Sequence, residues 1–152
     1  MRVWRLCREK YAKLPYDGYG SAQYGGRWNS KGTYVAYAAA SPALSMLELL
    51  VHIDRDDVPD DLVFAIAEVP DDSIEDVDRA ALPANWRLEP PPPGLRAIGD
   101  AWVRSGSSIG LRVPSVLSPT EFNLMINPRH PRAGEIQYQT LEKVVLDPRL
   151  LK

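Results

Sequence analysis

The stretch Tyr24-Gly25-Gly26-Arg27-Trp28-Asn29-Ser30 holds the residue types best suited to gripping an anionic ligand. A Gly-Gly pair lets the backbone come close to a ligand. The arginine that follows offers a planar fork for phosphate or carboxylate. Ten residues beyond Arg27 stands Tyr37, within the β-prone run Tyr34-Val35-Ala36-Tyr37, and then one carboxylate, Glu48, in the otherwise apolar run Leu44-Ser45-Met46-Leu47-Glu48-Leu49-Leu50. Arginine, aromatic ring and carboxylate together suit an enzyme that holds a nucleotide and stabilises positive charge beside it.

Those side chains need elements to carry them. Val3-Trp4-Arg5-Leu6 reads as an opening strand, residues 10–26 as an irregular loop, and Thr33–Ala38 as a strand. Ser41 followed by Pro42 marks a helix start, with a capping hydroxyl and a proline in the first turn. At about 100° per residue, Leu44, Leu47, Leu50 and Val51 share one apolar arc of that helix, and Ser45, Glu48 and His52 form a polar stripe opposite. Helix position alone therefore makes Glu48 an exposed acid; its company with Arg27 and Tyr37 argues for the wall of a cleft. Leu62–Val69 alternates like a strand, the four prolines 90–93 read as a stiff extended connector, and a helix is expected from about Leu95 to Arg104. Strands near Leu111–Leu117 and Glu142–Leu146 complete an α+β fold in which short strands outnumber helices.

Composition narrows the function classes. The 152 residues fit one domain, residues 1–152, and at 45% hydrophobic and 25% charged they are ordinary for a globular protein. A net charge of −2 argues against a general nucleic-acid binder. The single cysteine, Cys7, excludes an internal disulfide, and with only His52 and His130 as histidines no metal site is expected. The N-terminus is too polar for a signal peptide and no run is long enough for a membrane helix, so a cytoplasmic protein is expected. Charge is unevenly spread. Residues 1–31 hold seven Lys or Arg against two acids, and residues 54–79 hold eleven acids against two arginines. The basic part suits an anion; the acidic part is expected to be a solvated loop.

Taken together, Arg5, Tyr24–Asn29, Tyr37, Leu47-Glu48-Leu49-Leu50-Val51-His52, Val113-Pro114-Ser115, Asn123-Leu124 and Ile126-Asn127-Pro128-Arg129-His130-Pro131 resemble the RES-domain family, as does the ending Val144–Leu150. The resemblance spans essentially the whole chain. It implies the toxin of a bacterial RES–Xre toxin–antitoxin pair, a fold similar to ADP-ribosyltransferases, and NAD as substrate, either degraded by hydrolysis or phosphorolysis or used to modify a protein. The implied partner is an Xre-family helix-turn-helix antitoxin that blocks the site. Carried over, the name-giving residues are Arg27, Glu48 and Ser115, with Tyr37 as a fourth active-site position.

The chemistry asks for the same residue types. Breaking the nicotinamide–ribose bond develops positive charge on the ribose, as in glycoside cleavage. Glu48 placed against that charge would stabilise the transition state more than the ground state. The pyrophosphate wants a bidentate cation, Arg27 first and Arg5 second. Tyr37 could stack on nicotinamide, and Ser115 offers a hydroxyl to a ribose or amide group. Nicotinamide is a good leaving group, so no metal is required. His130 suits a structural hydrogen bond better than a general base. The alternatives are ADP-ribosyl transfer to a specific protein and a catalytically silent antitoxin-binding module; the oligomeric state, a homodimer included, is left open.

Overall fold

The β-branched and aromatic residues of the N-terminus form a strand, β1 (Arg2–Arg8), and the computed structural model, which describes residues 1–151, builds the rest of the sheet around it. In chain order there follow α1 (Tyr19–Tyr24), β2 (Ala36–Ala39), α2 (Pro42–Leu50), β3 (Leu62–Glu68), β4 (Ile74–Asp76), α3 (Pro93–Ser105), β5 (Gly110–Pro114), β6 (Phe122–Ile126) and β7 (Gln137–Lys143). The seven strands form one mixed sheet in the order β4-β5-β6-β2-β1-β3-β7, antiparallel except for the parallel pair β4 and β5. The α+β class expected from the sequence is what the chain adopts.

Strand pairing sorts the side chains onto two faces, because residues opposite each other across antiparallel strands point the same way. Arg5 pairs with Ala65, and Trp4 with Ala39. One face carries Val3, Ala36, Ala38, Ala65, Ala67, Leu124 and Ile126, covered by Tyr16 and Ile136. The other carries two separate cores. Under α3, Trp28, Leu95, Trp102, Leu111, Val113 and Met125 pack together with Tyr37 at their margin. Under α2, Leu6, Leu62, Phe64 and Ile66 pack with Met46, Leu49 and Leu50. Between these half-cores runs a seam along β2 and β6, and Tyr37, Ala39 and Asn123 face it.

Several elements differ from the sequence expectation. Residues 10–26 are not wholly irregular, since α1 occupies Tyr19–Tyr24. The proline run does not lie entirely outside a helix: Pro93 opens α3, where a missing N–H costs nothing. Strand β5 ends at Pro114, and β7 is centred earlier than Glu142–Leu146. β4 and β6 were not anticipated. Strand β3 is buried on six successive residues instead of alternating, because a core lies on each of its faces.

The acidic block also has a partner. Arg2 pairs with Glu68 at 2.7 Å, Arg8 with Asp61 at 2.8 Å, and the N-terminal ammonium with Asp71 at 3.0 Å. Part of the basic N-terminal charge, Arg2, Arg8 and the terminal ammonium, is thus paired at the surface with acids brought alongside because β1 lies beside β3, instead of being free for an anion. Among the described residues no helix is long and apolar enough to cross a membrane.

Helix α2 is rotated away from part of its expected apolar arc: Leu44 is fully buried and Leu50 packs in the half-core, but the other two arc residues face out. Ser41 caps it as expected, accepting from the Leu44 N–H at 3.1 Å while donating to Glu121 at 2.8 Å. Yet Ser45 is buried, and Leu47 and Val51 are 43% and 54% exposed. The cause is a backbone donor. β2 meets β1 only at Trp4, so the Leu6 N–H has no strand partner on that side, and the Ser45 hydroxyl accepts it at 2.8 Å. A buried N–H without an acceptor is costly enough to decide the orientation of a short helix.

Candidate active site

Glu48 follows Ser45 by one helical turn and shares its inward side. Its carboxylate reaches the seam, where Oε1 accepts from the Asn123 amide at 2.6 Å and from the Ser115 hydroxyl at 3.2 Å. No hydrogen bond reaches Oε2 from the described residues. Glu48 is therefore not an exposed acid on a solvated face. Asn123 lies on β6 opposite Ala39, two residues from the Met125–Tyr37 pair and on the same face. That places it about 7 Å along the strand from the tyrosine's row.

Ser115 is fully buried and caps the turn after β5, accepting from the N–H groups of Leu117 and Ser118 at 3.1 and 3.2 Å. Its hydroxyl proton goes to Glu48. It has no exposure left for a ribose or amide group, so the direct ligand contact expected of Ser115 is replaced by a contact with the carboxylate.

The loop that presents Arg27 is held from below. Asn29 is fully buried and donates to the carbonyls of Ser21 and Thr33 at 3.0 and 3.1 Å. The Tyr37 hydroxyl donates to Asn29 Oδ1 at 2.7 Å and accepts from the Trp28 N–H at 3.3 Å. A Cβ at Gly26 would lie 2.8 Å from that hydroxyl, so Gly26 makes room for Tyr37. The close backbone approach expected at the Gly-Gly pair is thus to a protein side chain. Burial pushes the Tyr37 phenol well above its usual pKa, and it stays neutral as a donor. With its hydroxyl committed, Tyr37 has only its partly exposed ring to offer a ligand.

Helix α3 clamps the loop from the other side. Asp100 accepts the Ser30 N–H at 2.9 Å, and Arg96 donates to the Gly26 carbonyl at 3.0 Å. Burial alone would raise the Asp100 carboxyl, but hydrogen bonds from Ser30 and Thr33, together with the Arg104 charge, outweigh it and hold the group below its usual value. At Gly99 the helix touches the loop backbone: a Cβ there would fall on the Trp28 carbonyl.

Arg27 extends from this loop to the segment before the prolines. Its guanidinium donates to the carbonyls of Trp86 and Leu88 at 2.9 and 3.1 Å and pairs with Glu89 at 2.7 Å. Its side chain is 20% exposed and that of Glu89 75%. Arg5 is elsewhere. It lies on the face of Ala65 and Tyr16, opposite Tyr37 and Glu48, and touches β2 only through the Tyr37 carbonyl at 2.9 Å. Sheet alternation removes Arg5 from any ligand shared with Glu48, and Arg96 is the second cation on the correct side.

The remaining candidates are structural. His130 Nδ1 accepts from the Arg132 N–H at 3.1 Å, which leaves Nε2 to donate to the Gly106 carbonyl at 3.0 Å. Cys7 is partly buried, and burial raises its thiol. Among the described residues no three His, Cys, Asp or Glu cluster as metal ligands. Asn123 is the residue that the sequence did not single out as a site. It is among the residues that carry the family resemblance, but the sequence assigns it no role: it is one polar position in the run Phe122–Ile126, whose pairing with β2 is long-range.

Comparison with known proteins identifies the family. The RES domain profile matches residues 2–147. A "Toxin Res" from Yersinia enterocolitica is 42% identical over 130 residues, covering 86% of each chain. A "Prs ADP-ribosylating toxin" from Sphingobium sp. is 36% identical over 98% of this chain and 96% of its own. A "Toxin Res" from Pseudomonas putida is 36% identical over 99% of both. Among solved structures, the Mycobacterium tuberculosis MbcT–MbcA toxin–antitoxin complex contains a chain of the same fold, with a TM-score of 0.75 at 19% identity over 99% of this chain and 86% of that one. A match over nearly the full length, with relatives 36–42% identical, leaves one assignment: the chain belongs to the RES-domain family of toxins.

Proposed function

We propose that this chain is the toxin of a toxin–antitoxin pair and consumes NAD by cleaving its nicotinamide–ribose bond. The observation that carries the reading is Glu48, a carboxylate turned into the seam between two half-cores, with one oxygen held by Asn123 and Ser115 and the other without a hydrogen-bond donor among the described residues. A solvated helix acid has no such partners. In the reaction, nicotinamide leaves with the electrons of the glycosidic bond, and Glu48 stabilises the positive charge that develops on the ribose. Water or phosphate then bonds to the same carbon, losing a proton to solvent. Arg27 exchanges Glu89 for the pyrophosphate, a better match in charge for the fork. The exposed part of the Tyr37 ring forms a wall for the nicotinamide.

A second reading, transfer of ADP-ribose to a protein, is favoured by the name of the Sphingobium relative, an ADP-ribosylating toxin. It uses the same bond cleavage and differs only in the acceptor. The MbcT–MbcA complex supports an antitoxin as partner; on the RES resemblance our reading is an Xre-family protein that closes the seam, with the pair acting in the cytoplasm.

Pure protein incubated with NAD, with and without phosphate, should release nicotinamide together with ADP-ribose or its 1-phosphate, identified by mass. The same incubation with cell extract and labelled NAD reads out protein modification. An intact NAD pool after induction of the chain in bacteria, with no labelled protein, would overturn both readings.

A further inference from the structure

The carboxylate of Glu48 is reached by two side chains, and they are not equivalent. Ser115 stands at 3.2 Å, with its oxygen already accepting two backbone N–H groups. Asn123 stands at 2.6 Å, and this is the one hydrogen bond its side chain makes among the described residues. A short bond from an amide to a carboxylate is the strong, charge-assisted kind. Asn123 also sits on β6, paired on both sides by β5 and β2, so its backbone is among the most constrained in the molecule. Glu48, by contrast, ends a flexible side chain on a nine-residue helix.

We propose that Asn123 is a positioning residue for Glu48: it fixes the carboxylate rotamer from the central sheet, occupies Oε1, and so leaves Oε2 for the substrate. Both donors take the same oxygen, which defines which one remains. A free glutamate samples several rotamers, only some of which present an oxygen to the seam. Asn123 removes that search before substrate arrives, an advantage in rate and not in ground-state binding. The charge neighbours are few. No other charged residue lies within α2; Glu121, next to β6, is engaged by Ser41, and Arg5 faces the other side of the sheet.

This inference rests on the reading of Glu48 as the group that acts on NAD, and a double-mutant cycle separates the two. Single-turnover NAD cleavage is measured for the parent, Asn123→Ala, Glu48→Gln and the double variant. Asn123→Ala should be slower by roughly tenfold to hundredfold, from the loss of a hydrogen bond to a charged group, with little change in the NAD dissociation constant. In the Glu48→Gln background the same change should cost almost nothing further. Asn123→Asp, equal in size but without the donor, should not recover the rate. A parental rate for Asn123→Ala, or an equal loss in both backgrounds, overturns the positioning role. Glu48→Gln at the parental rate would instead sink the reading of Glu48. A crystal structure of Asn123→Ala then still decides the inference: a displaced Glu48 carboxylate supports it, and an unmoved one overturns it.

Discussion

Replacing Glu89 by glutamine should tighten NAD binding. In the free protein Arg27 already holds an anion, the Glu89 carboxylate at 2.7 Å, so NAD must displace an internal competitor. The structure bounds the effect. Glu89 is 75% exposed, and exposed ion pairs contribute about 0.2–1 kcal/mol. Freeing Arg27 from that pair should lower the NAD dissociation constant by roughly 1.4-fold to fivefold. The two carbonyl acceptors, Trp86 and Leu88, still orient the guanidinium in Glu89→Gln, so the fork stays in place. Removing the cation itself works the other way: Arg27→Ala loses a charge-assisted phosphate contact and should weaken binding roughly tenfold to hundredfold. Calorimetry in a Glu48→Gln background measures both without turnover. The gain from Glu89→Gln should shrink as salt rises, since salt screens the same exposed pair in the parent. Unchanged or weaker NAD binding by Glu89→Gln at low salt would refute competition for Arg27.

Glu48→Gln keeps the acceptor for Asn123 and Ser115 but removes the charge, so NAD should still bind while single-turnover cleavage falls about a hundredfold to thousandfold; a folded variant at the parental rate would end the mechanism. Tyr37→Phe leaves Asn29 Oδ1 and the Trp28 N–H without their shared partner. It should lower stability by about 1–3 kcal/mol, seen as a drop in melting temperature, and weaken NAD binding through the Arg27 loop. The Asp100 carboxyl is depressed in the folded state, so its contribution is present above its unfolded pKa of about 3.9 and is lost as pH falls through the folded value. Asp100→Asn should therefore melt below the parent at pH 7, and the gap should close below about pH 4; a gap constant down to pH 3 would contradict that assignment.

Several residues of the candidate site stand out in the sequence, but their geometry does not. Arg27, Tyr37 and Glu48 stand out by type and spacing, and the Ser41-Pro42 helix start is local chemistry that local sequence can report. The direction of α2 was misread from its apolar arc, because the deciding contact is the Leu6 N–H, thirty-nine positions away in the chain. Arg5 was misplaced for a similar reason: which face of β1 looks at Glu48 depends on pairings with β2 and β3. Asn123 went unassigned because its partner is seventy-five positions distant. Ser115 stands out through the family resemblance, but a hydroxyl reads the same in sequence whether it meets a ligand or a carboxylate.

Gly99 sets a spacing that no functional group records. Because α3 rests there directly on the Trp28 carbonyl, the distance from the helix to the arginine-bearing loop is defined by the absence of a side chain. Any redesign of the Arg27 loop has to count Gly99 among its dimensions. A single methyl at that point acts as a wedge, and the whole Arg27 loop must move to admit it, with the clamps at Asp100 and Arg96 pulled out of line together.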